Sequence, residues 1–362
     1  MPEKLKVAVL FGGRSGEHDV SLVSGSTVLR NLDADRYDRL AFGITREGRF
    51  AGVAETQSML QGDPAGVRAC QGRLEPGRDG LVSIVGLDSD ERRWEPDIFF
   101  PVLHGPMGED GTIQGLVELT GKPLVGCSVA ASAVGMDKVL TKRLARDAGL
   151  DVVPWVEVHR ARWSRDREGL LDQMGAELGE VCFVKPVRMG SSVGISKADG
   201  RAELERAVDL ALEHDYRVLV EKAVDAREIE CAVMGNEEVL VSSPGEIEPS
   251  REFYDYEAKY LDGTSGLLVP APLTSEETGR VKSLAARAFS AITGEGFGRV
   301  DFLLERATGR FYLNEINTIP GFTEISMFPK LWIHEGRTMA GLLDELVSLG
   351  LARHGWKQGG RS

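Results

Sequence analysis

Two carboxylates and one amide near the end of the chain form a pattern typical of a metal site. Asp301 lies in one predicted strand, and Glu315 and Asn317 lie in the next. A three-residue hairpin loop with a left-handed Gly309 would place Asp301 directly opposite Glu315, and Asn317 would share the face of Glu315 because side chains alternate along a strand. Opposed carboxylates repel unless a cation lies between them. Such oxygen ligands suit Mg2+, whereas solvated charges on an exposed sheet are the alternative interpretation.

A lysine followed by a glycine-serine loop forms the second chemical pattern. Lys185 ends a predicted strand, and the sequence GSSVG follows at residues 190–194 with Ser191 and Ser192 at its centre. An ammonium group, backbone N–H groups and hydroxyls are suitable partners for phosphate oxygens. The GxxxxGKS/T pattern of a P-loop is absent. A flexible turn without a ligand is the alternative interpretation.

Two further glycine-rich turns follow predicted strands in the first third of the chain. Gly12-Gly13 leads to Glu17 and Ser21, and the sequence HGPMGEDG begins at His104. Turns at strand ends form ligand crevices in open sheets. Helix capping is the alternative role of Glu17 and Ser21, and a structural role is the alternative for His104. The GxGxxG fingerprint is missing, which disfavours a nicotinamide site.

A polar loop rich in aromatic residues contains Tyr254, Tyr256, Lys259 and Tyr260. Its composition is typical of a lid that covers a reaction and supplies a cation to it. A loop packed against the protein by its tyrosines is the alternative interpretation.

Alternating strand and helix patterns must position these residues, and they predict an α/β fold. The chain is too long for one ordinary core, and the patterns favour three domains at residues 1–126, 127–221 and 222–362. A strand, a glycine turn and a helix open the first domain. Residues 51–95 are rich in glycine and weakly periodic, so we expect them to form a surface insertion.

Composition excludes several classes of function. The 362 residues are 42% hydrophobic and carry a formal net charge of −13, which argues against nucleic acid and anionic membranes as partners. The four cysteines form no CxxC pair, so neither a zinc site nor a disulfide framework is expected. No signal peptide and no long apolar run is visible. We therefore expect a cytoplasmic protein without a membrane span.

Taken together, these motifs resemble the D-alanine–D-alanine ligases of the ATP-grasp superfamily from Val7 to about Leu346. Each motif alone is weak, but their joint order is specific. The stretches that carry the resemblance are FGGRSGEHDVSLVSG, LHGPMGEDGTIQG, GMDK, KPVRMGSSVGI, REIECAV, YDYEAKY, GRVDF and NEINTIPGFTEISMFPKLW.

The resemblance implies a three-domain ATP-grasp fold with an N-terminal Rossmann-like domain, the pre-ATP-grasp domain, and with ATP held between the other two domains. It assigns two magnesium ions to Asp301, Glu315 and Asn317. Mn2+ in place of Mg2+, a monovalent cation and a homodimer are further expectations from the family alone. The residues that it assigns to ATP are Lys138, Lys185, Ser192, Glu221, Val224, Glu228 and Lys259.

The family's reaction joins two D-alanine molecules through a D-alanyl phosphate for the synthesis of peptidoglycan precursors. By resemblance, Glu17 holds the ammonium of the first D-alanine, and Arg299 with the N–H of Gly321 stabilises the tetrahedral oxyanion. Ser326 binds the carboxylate of the second D-alanine. His104 is a candidate for a substrate contact and for accepting the proton of the incoming amine.

Ser191, Tyr260 and Glu17 resemble the family's hydrogen-bonded trio that closes the lid over the intermediate. Related D-alanine–D-lactate ligases lack this tyrosine, so Tyr260 favours an amine over a hydroxyl nucleophile, and Tyr260→Phe is expected to raise the use of D-lactate relative to D-alanine. D-Serine stays open as second substrate, since a pocket admits a hydroxymethyl group at little cost. A catalytically silent sensor of ATP or amino acids is disfavoured because the charged site residues are intact.

Overall fold

The structure is a computed structural model that describes residues 3–62, 65–77, 81–248 and 266–359. The predicted lid residues Tyr254, Tyr256, Lys259 and Tyr260 lie outside these ranges. The described strands are β1 (Leu5–Gly12), β2 (Tyr37–Ile44), β3 (Arg68–Pro76), β4 (Val82–Leu87), β5 (Arg93–Trp94), β6 (Ile98–Pro101), β7 (Trp155–His159), β8 (Val181–Pro186), β9 (Ser196–Asp199), β10 (Arg217–Lys222), β11 (Ala226–Gly235), β12 (Leu240–Val241), β13 (Gly245–Glu248), β14 (Gly266–Leu268), β15 (Gly296–Glu305) and β16 (Phe311–Asn317).

The described helices range in length from six to 21 residues. Within these ranges, none has the length and apolar character needed to cross a bilayer. They are α1 (His18–Asn31), α2 (Val53–Met59), α3 (Thr112–Leu119), α4 (Val129–Met136), α5 (Lys138–Asp147), α6 (Arg160–Arg165), α7 (Arg167–Leu178), α8 (Arg201–His214), α9 (Ser275–Ala291), α10 (Met327–His334) and α11 (Met339–Gly359).

Parallel strands at the centre of the first sheet bring two of the predicted glycine turns to one edge. The strand order is β5-β4-β3-β2-β1-β6, and β6, β1, β2 and β3 run parallel. Strands β1 and β6 are buried along most of their length, as expected for parallel strands covered on both faces. Because both strands end at the same edge of the sheet, the turns that carry Glu17 and His104 meet there.

The described residues between 51 and 95 form regular structure, so the predicted surface insertion is wrong. The segment contains α2, β3, β4 and β5, which extend the first sheet beyond β2, and Ile84 and Val85 of β4 are buried. Gly72 and Gly86 pair across β3 and β4, where a Cβ on either glycine would overlap an aromatic ring. The glycines that suggested a loop are thus needed for close packing within the sheet.

Two antiparallel sheets follow the first one along the chain. Strands β7-β10-β8-β9 form the second sheet, and β14-β13-β11-β15-β16 form the third, with β12 paired to β11. The second sheet spans residues 155–222 and the third spans residues 226–317, and the domain boundaries after residues 126 and 221 stay a prediction. The last helix crosses back, because Leu342 and Leu346 of α11 share a core with Val7 and Val9 of β1. The end of the chain therefore completes the core of the first sheet.

Helix α5 turns a different face to the interior from the one that its apolar residues predict. Leu140 and Leu144 lie one turn apart on α5, and they are 39% and 36% exposed. Lys142 is instead 1% exposed and pairs with the buried carboxylate of Glu221. Helix α5 therefore buries a lysine that is paired with a carboxylate, while two of its leucines are partly exposed.

Candidate active site

One cleft between the three sheets collects the predicted site residues. Its volume is about 1410 Å³. Residues as far apart in the sequence as Glu17 and Ser326 meet there, because the cleft is lined by loops and strands of all three sheets. The fifteen predicted site residues within the described ranges all line it: Glu17, His104, Lys138, Lys185, Ser191, Ser192, Glu221, Val224, Glu228, Arg299, Asp301, Glu315, Asn317, Gly321 and Ser326.

The hairpin of β15 and β16 places Asp301 opposite Glu315, as predicted. The route to this register differs from the predicted one. The N–H of Glu305 donates to the carbonyl of Arg310, so the hairpin loop is one residue longer than the predicted three-residue loop. The register then shifts by one residue between Asp301 and Phe302. The shift offsets the longer loop and restores the predicted pair.

The register shift is a β-bulge at Asn314. Burial alternates along β16 except at Asn314 and Glu315, which are both half-buried, because the extra residue brings two consecutive side chains to the cleft face. Asn314 Oδ1 accepts a hydrogen bond from Lys185 Nζ at 3.3 Å. Strict alternation would turn Asn314 away from the cleft, so sequence reasoning missed it.

A buried arginine holds the carboxylate of Asp301. Arg299 donates from Nε and Nη2 to the two Asp301 oxygens at 2.7 Å each, and Asn317 Nδ2 donates to Asp301 Oδ2 at 2.8 Å. Arg299 Nε also lies 3.1 Å from Glu230 Oε2. Burial alone would lower the pKa of Arg299, but Asp301 and Glu230 raise it well above its usual value. Arg299 is therefore a fixed positive charge in the cleft.

Lys138 connects the hairpin to the glycine-serine loop. Its Nζ donates to the carbonyl of Met189 at 2.7 Å and lies 3.7 Å from Glu315 Oε2. Because Met189 directly precedes the GSSVG sequence, this lysine fixes the start of the loop beside the carboxylate. A cation shared by a loop and a carboxylate is well placed to receive phosphate oxygens.

Glu221 is buried between two lysines. Lys142 Nζ lies 2.5 Å and Lys185 Nζ lies 2.6 Å from its carboxylate oxygens. Burial alone would raise the pKa of Glu221, but the two ammonium groups lower it to about 2. Burial lowers the pKa of Lys142, which Lys185 also repels, whereas for Lys185 attraction to Glu221 outweighs burial and raises the pKa. Sequence reasoning missed Lys142, although its position one helical turn after Lys138 was an available signal.

Glu17 connects the first sheet to the glycine-serine loop through a hydrogen bond donated by Ser191 Oγ. A Cβ at Gly105 would lie 2.5 Å from Glu17 Oε2, and one at Gly190 would lie 2.8 Å from it, so both glycines are needed for this approach. Glu17 makes no side-chain cap to α1, and the Ser21 hydroxyl bonds to backbone at the ends of β1 and β6. The capping alternative therefore fails for both residues.

The glycine-serine loop is strained at its centre. Ser191 and Ser192 both have left-handed backbone angles, with φ of 48° and 58°, which cost about 1 to 3 kcal/mol each for residues other than glycine. The bond from Ser191 to Glu17 and the bond from the Val193 N–H to the Gly190 carbonyl at 3.1 Å hold this shape. Strain of this kind concentrates in ligand-binding loops.

Gly321 and Ser326 lie against each other before helix α10. A Cβ at Gly321 would lie 2.6 Å from Ser326 Oγ, so a side chain at position 321 would displace this hydroxyl. Ser326 Oγ accepts from the Thr323 N–H at 3.1 Å and lies 2.7 Å from the Thr323 hydroxyl, and it does not cap the helix. A hydroxyl at the N-terminus of a helix suits a carboxylate ligand.

His104 and Glu109 follow β6 and are both buried. His104 Nδ1 lies 2.9 Å from the carbonyl of Ile319, and its Nε2 lies 3.0 Å from Ser24 Oγ. Burial lowers the pKa of His104 and, together with the charge of Glu17, raises that of Glu109 to about 8. Sequence reasoning missed Glu109, which lies in the quoted HGPMGEDG motif.

The chemistry of Asp301, Glu315 and Asn317 fits magnesium. Among the described residues, no group of three or more His, Cys, Asp or Glu side chains is arranged for a metal ion, and this set comprises two carboxylates and one amide. Magnesium needs few protein ligands, because water and phosphate oxygens complete its shell. Arg299 and Lys138 meanwhile offset the repulsion between the paired carboxylates.

Comparison with known proteins gives a consistent result over nearly the whole chain. A family model described as D-ala D-ala ligase N-terminus matches residues 6–127, and one described as D-ala D-ala ligase C-terminus matches residues 144–348. The chain is 48% identical to a D-alanine--D-alanine ligase of Heliobacterium modesticaldum, over 98% of this chain and 97% of the relative. It is also 48% identical to one of Thermoanaerobacter sp. strain X514, over 98% and 99% of the two chains.

Solved structures of similar proteins have the same fold. The D-alanine-D-alanine ligase from Coxiella burnetii is 34% identical with a TM-score of 0.81, over 98% of each chain. The VanG D-Ala:D-Ser ligase from Enterococcus faecalis is 37% identical with a TM-score of 0.83, over 96% of this chain and 99% of that one.

Proposed function

This chain belongs to the D-alanine–D-alanine ligase family, and from that premise we propose that its cleft joins two D-alanine molecules while ATP is converted to ADP and phosphate. The fold is the ATP-grasp fold of its structural neighbours, and the product serves peptidoglycan synthesis. The observation that carries the proposal is that Glu17, Lys185, Glu315 and Gly321 line one cleft. In the proposed roles, an ammonium partner, a phosphate partner, a metal ligand and an oxyanion donor would surround one reacting centre.

ATP would lie along the part of the cleft formed by β8, β10 and β11. Glu221 and Val224 would contact the adenine and Glu228 the ribose, while Lys138, Lys185 and Ser192 would contact the phosphates, joined by Lys259 from outside the described residues. Lys185 shares Glu221 with Lys142. Because Lys142 remains paired with Glu221, Lys185 can turn to a phosphate without leaving an uncompensated buried carboxylate.

Asp301, Glu315 and Asn317 would hold two magnesium ions, or manganese ions in their place. The ions would offset the charge on the terminal phosphates when bound. Arg299 would keep Asp301 oriented through its two hydrogen bonds, and the bulge at Asn314 would keep Glu315 on the cleft face.

In the first step, a carboxylate oxygen of the first D-alanine attacks the γ-phosphorus, and the bond from that phosphorus to the ADP oxygen breaks. Glu17 would hold the ammonium group of this D-alanine. Ser191, already bonded to Glu17, would with Tyr260 hold the lid over the D-alanyl phosphate and exclude water. Glu17 would then contact both the first D-alanine and the glycine-serine loop.

In the second step, the amine of the second D-alanine attacks the acyl carbon, and phosphate leaves after the amine has lost a proton. Arg299 and the N–H of Gly321 would stabilise the oxyanion, a role worth about 3 to 4 kcal/mol per donor in other enzymes. Ser326 would bind the carboxylate of the second D-alanine. Both ring nitrogens of His104 are engaged, which favours a supporting role for this residue over that of proton acceptor.

We further propose a homodimer, a cytoplasmic location and activation by a monovalent cation, all of which rest on the family alone. Sedimentation at several protein concentrations tests the first, and rates in potassium against lithium buffers test the last.

The reaction is tested by offering magnesium and ATP with D-alanine, D-serine or D-lactate, alone and in pairs. We expect ADP and D-alanyl-D-alanine from D-alanine alone, identified by mass. A mixed product formed in preference to D-alanyl-D-alanine would identify D-serine or D-lactate as the second substrate. Folded protein that releases no ADP with any pair would contradict the proposal.

A further inference from the structure

Side chains that follow strand β6 hold the backbone of residues 318–323 on both sides of one residue, Ile319. The N–H of Ile319 donates to Glu109 Oε1 at 3.0 Å, and the carbonyl of Ile319 lies 2.9 Å from His104 Nδ1. Glu109 and His104 are 9% and 4% exposed. These bonds join positions more than two hundred residues apart, so the first sheet fixes the conformation of a segment that follows the third sheet.

The donor directions in this network follow from the partners. A carbonyl only accepts, so His104 Nδ1 must carry a proton, and the neutral ring leaves Nε2 as an acceptor. Ser24 Oγ lies 3.0 Å from Nε2 and accepts from the Phe322 N–H at 3.2 Å. The hydroxyl proton of Ser24 therefore points to His104. The two ring nitrogens of His104 and the hydroxyl of Ser24 thus each have a defined hydrogen-bond partner.

Among residues 319–323, these bonds leave one backbone donor for a ligand. Ile319 and Phe322 donate to Glu109 and Ser24, Thr323 donates to Ser326 Oγ, and Pro320 has no N–H. Within the part of the chain that the structure describes, the N–H of Gly321 has no hydrogen-bond partner, and Gly321 lines the cleft. The neighbouring donors are occupied by the protein itself.

We propose that Ser24, His104 and Glu109 are positioning residues that aim the N–H of Gly321 at the reacting carbonyl. The proposal deepens the proposed function and rests on it. Glu109 Oε2 also accepts from the N–H of Gly105 at 2.8 Å, and Gly105 packs against Glu17. One network therefore sets both the ammonium partner of the first D-alanine and the donor for the oxyanion.

The test compares Ser24→Ala with Ser26→Ala. Both serines are fully buried on α1, but Ser26 Oγ bonds to the carbonyl of Leu22 and the N–H of Gln61 and does not touch residues 318–323. Two quantities are measured: the rate of dipeptide formation, and the positional isotope exchange in ATP labelled at its bridging β,γ oxygen, which reports the first step alone.

We expect Ser24→Ala to lower dipeptide formation by about ten- to a hundredfold, the size of effect expected for a small misplacement of a catalytic donor. The exchange rate should stay near that of wild type, and Ser26→Ala should match wild type in both. Equal dipeptide rates in Ser24→Ala and wild type would overturn the proposal. Absence of dipeptide from wild type itself would instead contradict the proposed function.

His104 and Glu109 supply further variants in case Ser24→Ala does not fold. His104→Asn keeps a donor near the position of Nδ1, so it should retain more activity than His104→Ala, and the acid limb of its pH–rate profile should not move. Glu109→Gln turns an N–H group towards one of the two backbone donors, so it should lower dipeptide formation more than isotope exchange. Loss of the acid limb in His104→Asn would assign His104 as the proton acceptor and overturn its positioning role.

Discussion

The two sides of the cleft hold their polar groups by different means. On the third sheet, Asp301 and Glu315 lie on paired strands, and their charges are offset by Arg299 and Lys138 at fixed register. On the first sheet, Glu17 and the residues after β6 lie in loops that are joined to distant segments by hydrogen bonds. On the third sheet, strand register thus fixes the positions of the charged groups. On the first sheet, long-range hydrogen bonds fix the directions in which donor groups point.

This difference has consequences for how each side responds to mutation. A charge on the strand side has buried partners of opposite sign, so its removal leaves an uncompensated ion. A hydrogen bond on the loop side mainly orients a group, so its removal should alter the geometry more than the stability. Variants on the two sides should therefore differ in whether they lose mainly stability or mainly reaction rate. Variants that lose both equally on each side would contradict the comparison.

The largest effect is expected from Glu315→Ala on the strand side. It removes a proposed metal ligand, and we expect turnover to fall by about a thousandfold or more, the scale of several kcal/mol of charge stabilisation by a metal. ADP release measures the loss. Glu305→Ala, at the distal end of the same hairpin and outside the cleft lining, is the matched control. Wild-type turnover in Glu315→Ala would exclude the metal assignment.

The next effect concerns stability and sharpens the role of charge on the strand side. Asp301→Asn leaves Arg299 with Glu230 as its remaining carboxylate contact, so we expect the free energy of unfolding to fall by about 3 kcal/mol. Asp209→Asn, which loosens an exposed pair with Arg167, should cost less than about 1 kcal/mol. Urea unfolding measures both. Equal losses in the free energy of unfolding would show that the buried ion pair contributes no more to stability than the exposed one.

On the loop side, Ser191→Ala removes the contact from the glycine-serine loop to Glu17. We expect kcat to fall by about ten- to a hundredfold because the loop loses its fixed geometry, with a change in unfolding temperature smaller than that of Asp301→Asn. Steady-state kinetics and thermal unfolding of the same samples test the pair of expectations. A large drop in unfolding temperature with unchanged kcat would reverse the comparison between the two sides.

The smallest effect is the acid dependence of Glu221. Its pKa is about 2 in the folded protein against 4.5 as the ordinary value, so its contribution to stability is present above pH 4.5 and is lost as the pH falls towards 2. Between pH 4.5 and 3.5 wild type should lose about 1 kcal/mol relative to Glu221→Gln. Urea unfolding at both pH values measures the difference. Parallel losses in the two proteins would mean that Glu221 is not held by its lysines.

Long periodic elements and glycine turns were predictable from the sequence, and the site residues within the described ranges meet in one cleft. Thr274 and Glu277 form a capping box at the start of α9, a pattern that their types and spacing indicate. The bulge at Asn314 was not predictable, because a longer loop and a shifted register compensate each other. Lys142 and Glu109 were missed because their buried partners are far away in the sequence. A local sequence pattern reveals neither a register shift that offsets a longer loop nor an interaction partner that is distant in the sequence.

The central claim is that ATP activates the carboxylate of the first D-alanine as an acyl phosphate. D-Alanine labelled with oxygen-18 in its carboxylate tests it most directly, because one carboxylate oxygen must leave with the phosphate when the peptide bond forms. We predict one labelled oxygen in each inorganic phosphate and none in ADP. Dipeptide formation with no oxygen-18 in the inorganic phosphate would contradict the account.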